Sequence, residues 1–269
     1  MGQIHSFGWY VTAKIFALIH TFERYVKGGI TVDYVISVKG LTKSFQGREV
    51  IRDCTMNIGK GSIYGFLGEN GAGKTTFFKI LLGMMKPTAG EANVLGLDCV
   101  RQSPEILRRT GSLIETPVFY EHLSARENLE IHLDYLEAEG KAEEALELVG
   151  LRETGERPVS EFSLGMRQRL AVARAVVHRP EVLILDEPVN GLDPAGIHQM
   201  RELFLHLSRE EGTTILLSSH ILHEVEQTAS RVGILAHGRV IAEVDPEAFR
   251  KNGGMEEYYL KMTGGIRRE

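Results

Sequence analysis

The stretch Gly68-Glu69-Asn70-Gly71-Ala72-Gly73-Lys74-Thr75-Thr76 constrains the fold more than any other part of the chain. Before it lies the nearly all-apolar run SIYGFL. After it comes KTTFFKILLGMM, with apolar residues at helical spacing and Pro87 expected to end the run. Strand, glycine loop and helix in that order make a phosphate loop of the pattern G-x-x-x-x-G-K-[S/T]. Glycines let the backbone curl so that successive N–H groups face phosphate oxygens, and the helix adds its positive N-terminal end. On this pattern Lys74 reaches the β- and γ-phosphates of a nucleotide and Thr75 ligates Mg²⁺. A chance glycine turn has no need of the lysine, the threonine or the flanking elements.

The surrounding chain gives the loop an α/β setting. YVISVKGLTKSF and EVIRDCTMNIGKGSIYGFLG alternate apolar and polar residues, which predicts antiparallel strands separated by a turn at Gly47. Residues from about 105 to 175 read as a mainly helical, inserted subdomain, in which Ser124 followed by Glu127 forms a capping box. EVLILDEP and TTILLSSH are apolar β-rich segments, each followed by helical sequence, as a parallel sheet requires. The expected fold is α/β: a phosphate-loop NTPase core with a parallel sheet, an antiparallel β subdomain and an inserted α-helical subdomain. It occupies residues 32–245, and residues 246–269 read as a polar tail.

A second piece of chemistry sits in LILDEP. Four apolar residues deliver Asp186 and Glu187 to the carboxyl end of a buried strand, where α/β sheets bind ligands. Asp186 is placed to hold Mg²⁺, and Glu187 to polarise a water for attack on the γ-phosphate. Taken alone, the pair reads equally well as a solvent-facing acidic turn; the glycine loop decides against that.

Composition excludes several classes. The net charge of −5 gives no electrostatic footprint for nucleic acid. Cys54 and Cys99 stand far apart, without companions at metal-ligand spacing, and read as reduced core residues. No uncharged apolar run is long enough to span a bilayer, so a membrane function needs a partner.

Residues 1–31 stand apart. SFGWYVTAKIFALIHTFERYVKGGIT is apolar enough to suggest a signal peptide, but Lys14 and His20 interrupt it and no small-residue cleavage site follows. An amphipathic surface helix is one alternative. Another is that Lys27-Gly28-Gly29 is encoded by AAA-GGA-GGN, a ribosome-binding sequence, and that translation begins at Val32. Residues 1–31 hold three basic and one acidic residue, so a start at Val32 leaves a charge of −7.

The glycine loop, FSLGMRQRL at 162–170, LILDEP, NGLDP and SSH, in this order, resemble the nucleotide-binding subunit of an ABC transporter over residues 34–245. The resemblance implies two ATP molecules held between two such subunits, head to tail, as a homodimer or pseudo-dimer. It also implies separate transmembrane permease subunits and a cytoplasmic position on the inner face of the membrane.

Within that resemblance, Ser163 and Gly165 match the signature that binds the γ-phosphate of the ATP on the other subunit. Leu164 and Met166 depart from it. Phe45 resembles the aromatic that stacks on adenine, with a buried core phenylalanine as the competing reading. His220 resembles the switch histidine at the γ-phosphate. Asp193 resembles the dimer-contact loop; otherwise Asp193-Pro194 caps the next helix. Glu115 stands where the family usually has a glutamine that joins the Mg²⁺ site, and it retains an oxygen ligand while adding a negative charge. Glutamate here and the SLGM-like signature resemble exporters for lantibiotic immunity and bacitracin resistance, with an export ATPase for another cargo as the alternative. Soluble ABC ATPases of ribosomes and DNA-repair ATPases are disfavoured by length, since they need a second domain or a long coiled coil.

Overall fold

The computed structural model describes residues 26–27, 30–31, 33–251 and 254–264. The readings made for residues 1–31 lie almost wholly outside them. Only β1 (Val26–Lys27) and β2 (Ile30–Thr31), a short antiparallel pair, belong to that segment.

β3 (Tyr34–Phe45) and β4 (Arg48–Gly59) pair antiparallel, as the alternation predicts. The turn between them has positive φ at Gln46 and Gly47, the twist that closes a two-residue hairpin. β6 (Ala89–Val94) and β7 (Leu97–Asp98) complete this sheet in the order β4-β3-β6-β7.

The larger sheet contains β5 (Ile63–Leu67), β8 (Thr110–Leu113), β9 (Val182–Leu185), β10 (Thr214–Ser219), β11 (Arg231–Ala236) and β12 (Arg239–Val244). Its order is β12-β11-β5-β10-β9-β8, parallel throughout except for β12 at one edge. Strands buried on both faces read as continuous apolar runs, and their two-residue period still decides which core each side chain joins. Tyr64, Phe66, Val182, Ile184 and Leu216 face one cluster, whereas Ile63, Leu67, Leu183, Leu185, Ile215 and Leu217 face another.

The first cluster holds α1 (Lys74–Leu81) between the two sheets. Phe66 lies 5.1 Å from Phe77 and 5.9 Å from Phe78, ring centre to ring centre, so an aromatic group fixes the strand before the glycine loop to the helix after it. Such pairs contribute about 0.5–1.5 kcal/mol each beyond buried area. The helix stops sooner than Pro87 suggests. Gly83 adopts φ +68 and its N–H bonds back to Ile80, so glycine ends α1 first.

The second cluster carries the helical arm: α3 (Ala125–Leu136), α4 (Ala142–Leu148) and α5 (Leu164–Val176). The expected capping box is present: the Ser124 N–H donates to the Glu127 carboxylate at 2.7 Å, and Ser124 Oγ accepts from the Glu127 N–H. The arm is shorter than the 105–175 span, however. α2 (Ser103–Arg109) leads into β8, and β8 pairs with β9 as a strand of the large sheet. TGSL carries too little apolar character to announce a strand.

α6 (Pro194–Arg209) and α7 (Leu222–Thr228) follow β9 and β10, as the alternating pattern predicts. The residues read as a polar tail form α8 (Pro246–Lys251) and α9 (Met255–Thr263), with Phe249 and Met255 buried in the second cluster. Tyr258 meets the Phe249 ring edge-on at 5.3 Å, so this end is docked by apolar contacts. No helix among the described residues is long and apolar enough to cross a membrane.

Candidate functional site

The glycine loop leaves the end of β5 and enters α1 at Gly73, whose φ of +111 is a backbone that L side chains rarely adopt. The Ala72 N–H closes a turn onto the Glu69 carbonyl. The first intrahelical bond runs from the Phe77 N–H to Gly73, and no side chain caps α1. The N–H groups of Lys74, Thr75 and Thr76 therefore lack helical acceptors and can serve an anion.

Lys74 is 6 % exposed, and its ammonium folds over the loop. Nζ donates to the Gly68 carbonyl at 2.5 Å, lies 3.4 Å from the Glu69 carbonyl and sits 3.6 Å from Glu187 Oε1. Loop carbonyls thus hold the charge where an anionic ligand can claim it.

β9 brings the two carboxylates. Asp186 accepts from Thr75 Oγ1 at 2.5 Å and, on its other oxygen, from Ser218 Oγ at 2.6 Å. Ser218 Oγ in turn accepts the Glu187 N–H at 2.9 Å. Glu187 adopts φ +52, a backbone uncommon for a residue other than glycine. Its Oε2 meets His220 Nδ1 at 2.7 Å and the His220 N–H at 3.3 Å. Its Oε1 is buried without a hydrogen-bond partner. The Thr75 hydroxyl and the Asp186 carboxylate, in contact with each other, are hard-oxygen donors that fit Mg²⁺.

Five sequence-predicted residues, Lys74, Thr75, Asp186, Glu187 and His220, are thus one contact network. Others lie elsewhere. Ser163 caps α5, its Oγ accepting from the Met166 N–H, and Asp193 caps α6 by accepting from Gly196 at 3.0 Å. Ser163, Gly165 and Asp193 line a cleft of about 730 Å³ with Arg157, Arg169 and Leu164, and no glycine-loop residue contributes to it. Leu164 is 68 % exposed there. Phe45 is 42 % exposed with Lys43 Nζ 5.0 Å from its ring centre, which removes the core reading. Glu115 contacts neither Thr75 nor Asp186 but Lys79, at 2.6 Å.

Two residues missed by sequence reasoning tie the site together. Ser218 bridges Asp186 and Glu187; it lies on β10 two residues before His220, and a hydroxyl at the end of an apolar strand is the signal that could have found it. Gln168 on α5 donates to the carbonyls of Glu187 and Pro188, joining the helix after Ser163 to the carboxylate loop. Only the structure reveals that contact.

Fold and loop together define a phosphate-loop NTPase. The family model described as ABC transporter matches residues 51–190. The chain is 46 % identical over 219 residues to the bacitracin transport ATP-binding protein BcrA of Bacillus licheniformis, covering 81 % of this chain and 72 % of that one. It is 42 % identical over 210 residues to the lantibiotic transport ATP-binding protein SrtF of Streptococcus pyogenes, covering 78 % and 90 %. A solved ATP-binding subunit of an ABC transporter superposes with a TM-score of 0.77 at 30 % identity, covering 85 % of this chain and 99 % of that one. The chain belongs to the ABC transporter ATP-binding family and is an ATP-binding subunit with ATPase activity.

Proposed function

We propose that this ATPase works as a head-to-tail pair on a separate membrane permease and exports antimicrobial peptides of the bacitracin or lantibiotic type, giving resistance or immunity. The likeness to BcrA and SrtF carries the cargo reading. On it the subunit sits at the inner membrane face, held there by its permease.

Lys74 exchanges its loop carbonyls for β- and γ-phosphate oxygens, and the free N–H groups of Lys74, Thr75 and Thr76 complete the cradle with the loop Gly68–Gly73. Thr75 and Asp186 hold Mg²⁺, with Glu115 as a further oxygen donor. Magnesium bound there neutralises charge on the phosphates. Glu187, already oriented by Ser218 and His220, offers Oε1 to a water in line with the γ-phosphate. His220 is close enough to report the γ-phosphate to that carboxylate. Phe45 offers an exposed ring to adenine. Ser163, Gly165 and Asp193 form a surface apart from the glycine loop of their own chain, which supports a role on nucleotide held by a second subunit. Hydrolysis then releases the closed pair and shifts the permease between states.

The test is growth of a sensitive host in bacitracin and in several lantibiotics, with this ATPase and its neighbouring permease genes, comparing wild type with Glu187→Gln. Protection by wild type alone is expected. No protection from an active wild-type ATPase refutes the cargo reading.

A further inference from the structure

Glu115, offered above as a further oxygen donor to the cation, is paired in this structure with Lys79, to which the catalytic network assigns no task. β8 runs parallel to β9 with Leu113 beside Leu185, and the Asp186 N–H donates to the Leu113 carbonyl at 2.7 Å. Two residues beyond Leu113, the chain therefore brings Glu115 to the sheet edge that carries Asp186 and Glu187. Lys79 arrives from α1, four residues after Thr75, so the two side chains share one helix face about one turn apart. Glu115 holds φ +60, a backbone uncommon for a residue of its kind, and its Oε1 lies 2.6 Å from Lys79 Nζ.

Charge gives the pair its meaning. Glu115, Asp186 and Glu187 bring three carboxylates to this edge, against the ammonium groups of Lys74 and Lys79. Glu115 makes no hydrogen bond to Thr75 or Asp186 where Lys79 holds it, so serving a cation there requires the carboxylate to shift against the pull of Lys79. Its side chain is 61 % exposed, and ion pairs this open are weak enough to exchange. A divalent cation attracts the carboxylate more strongly than one ammonium does.

We propose that Lys79 is a positioning residue that competes with the divalent cation for the Glu115 carboxylate. It holds Glu115 beside α1 while the site lacks magnesium-nucleotide and yields it when that ligand enters. This rests on Thr75 and Asp186 being the cation site.

The experiment titrates Mn²⁺, as a paramagnetic stand-in for Mg²⁺, into the full chain saturated with a non-hydrolysable ATP analogue and reads free Mn²⁺ by electron paramagnetic resonance. Lys79→Gln should bind Mn²⁺ about two- to fivefold more tightly than wild type, the scale of an exposed ion pair. Lys79→Arg should stay at the wild-type value. Glu115→Gln should erase the gain, so that the double variant equals Glu115→Gln alone. An unchanged affinity in Lys79→Gln, or the same gain with Glu115 already replaced, overturns the proposal. Thr75→Ala separates the two readings: unaltered Mn²⁺ binding in that variant overturns the cation site itself.

Discussion

Ser218→Ala removes one hydroxyl and two buried hydrogen bonds. Ser218 is fully buried; its Oγ donates to the Asp186 carboxylate at 2.6 Å and accepts the Glu187 N–H at 2.9 Å. A hydrogen bond to a charged group contributes about 1.5–3 kcal/mol, and an orphaned buried N–H costs about 1–3 kcal/mol. Partial relaxation around Asp186, which retains Thr75, brings the expected loss to about 2–4 kcal/mol. For a chain of this size that lowers the melting temperature by roughly 5–12 °C. The assay is thermal unfolding of wild type, Ser218→Ala, Asp186→Asn and the double variant, with ATP turnover measured alongside. Coupling between the two positions should reach about 1 kcal/mol or more, because both side chains belong to one network. Turnover should fall with stability, since Ser218 sets the direction of both carboxylates. A variant that melts within about 1 °C of wild type and turns over normally refutes the bridging role.

Two further outcomes test the packing. Burial pushes the Cys99 thiol up to about 12 and raises that of Cys54, so a thiol reagent at pH 8 should label neither cysteine until the protein unfolds. Burial, with Arg174 and His178 nearby, pushes His132 down from 6.5 to about 4, so the folded state favours the neutral ring. The unfolded chain binds that proton first, so stability should fall as pH drops from about 6.5 towards about 4, and His132→Gln should flatten that slope in acid unfolding curves.

What was legible in the sequence follows from how each feature is encoded. The glycine loop, the hairpin at Gly47 and the capping box at Ser124 are local patterns in which neighbours along the chain make the structure. β9 and β10 are legible because burial on both faces leaves unbroken apolar runs. β8 escaped because its place in the sheet comes from pairing with β9, while TGSL itself is half polar. α1 ended early because Gly83 precedes Pro87 and either residue stops a helix. The last helices escaped because a few apolar residues, Phe249 and Met255 among them, dock an otherwise polar segment. Glu115 was singled out only through the family resemblance, and its partner Lys79 lies 36 residues away in sequence. Ser218 lay within the SSH motif, overlooked beside the histidine.

The role given to Glu187 carries the hydrolytic account, and light scattering with size-exclusion chromatography tests it most directly. Glu187→Gln keeps a hydrogen-bonding side chain beside His220 but loses the carboxylate proposed to polarise water. With ATP and Mg²⁺ it should abolish turnover and run as a dimer, while wild type returns to monomer as ATP is consumed. Normal hydrolysis by the variant contradicts that role, and a monomer that persists with ATP bound contradicts the head-to-tail pair.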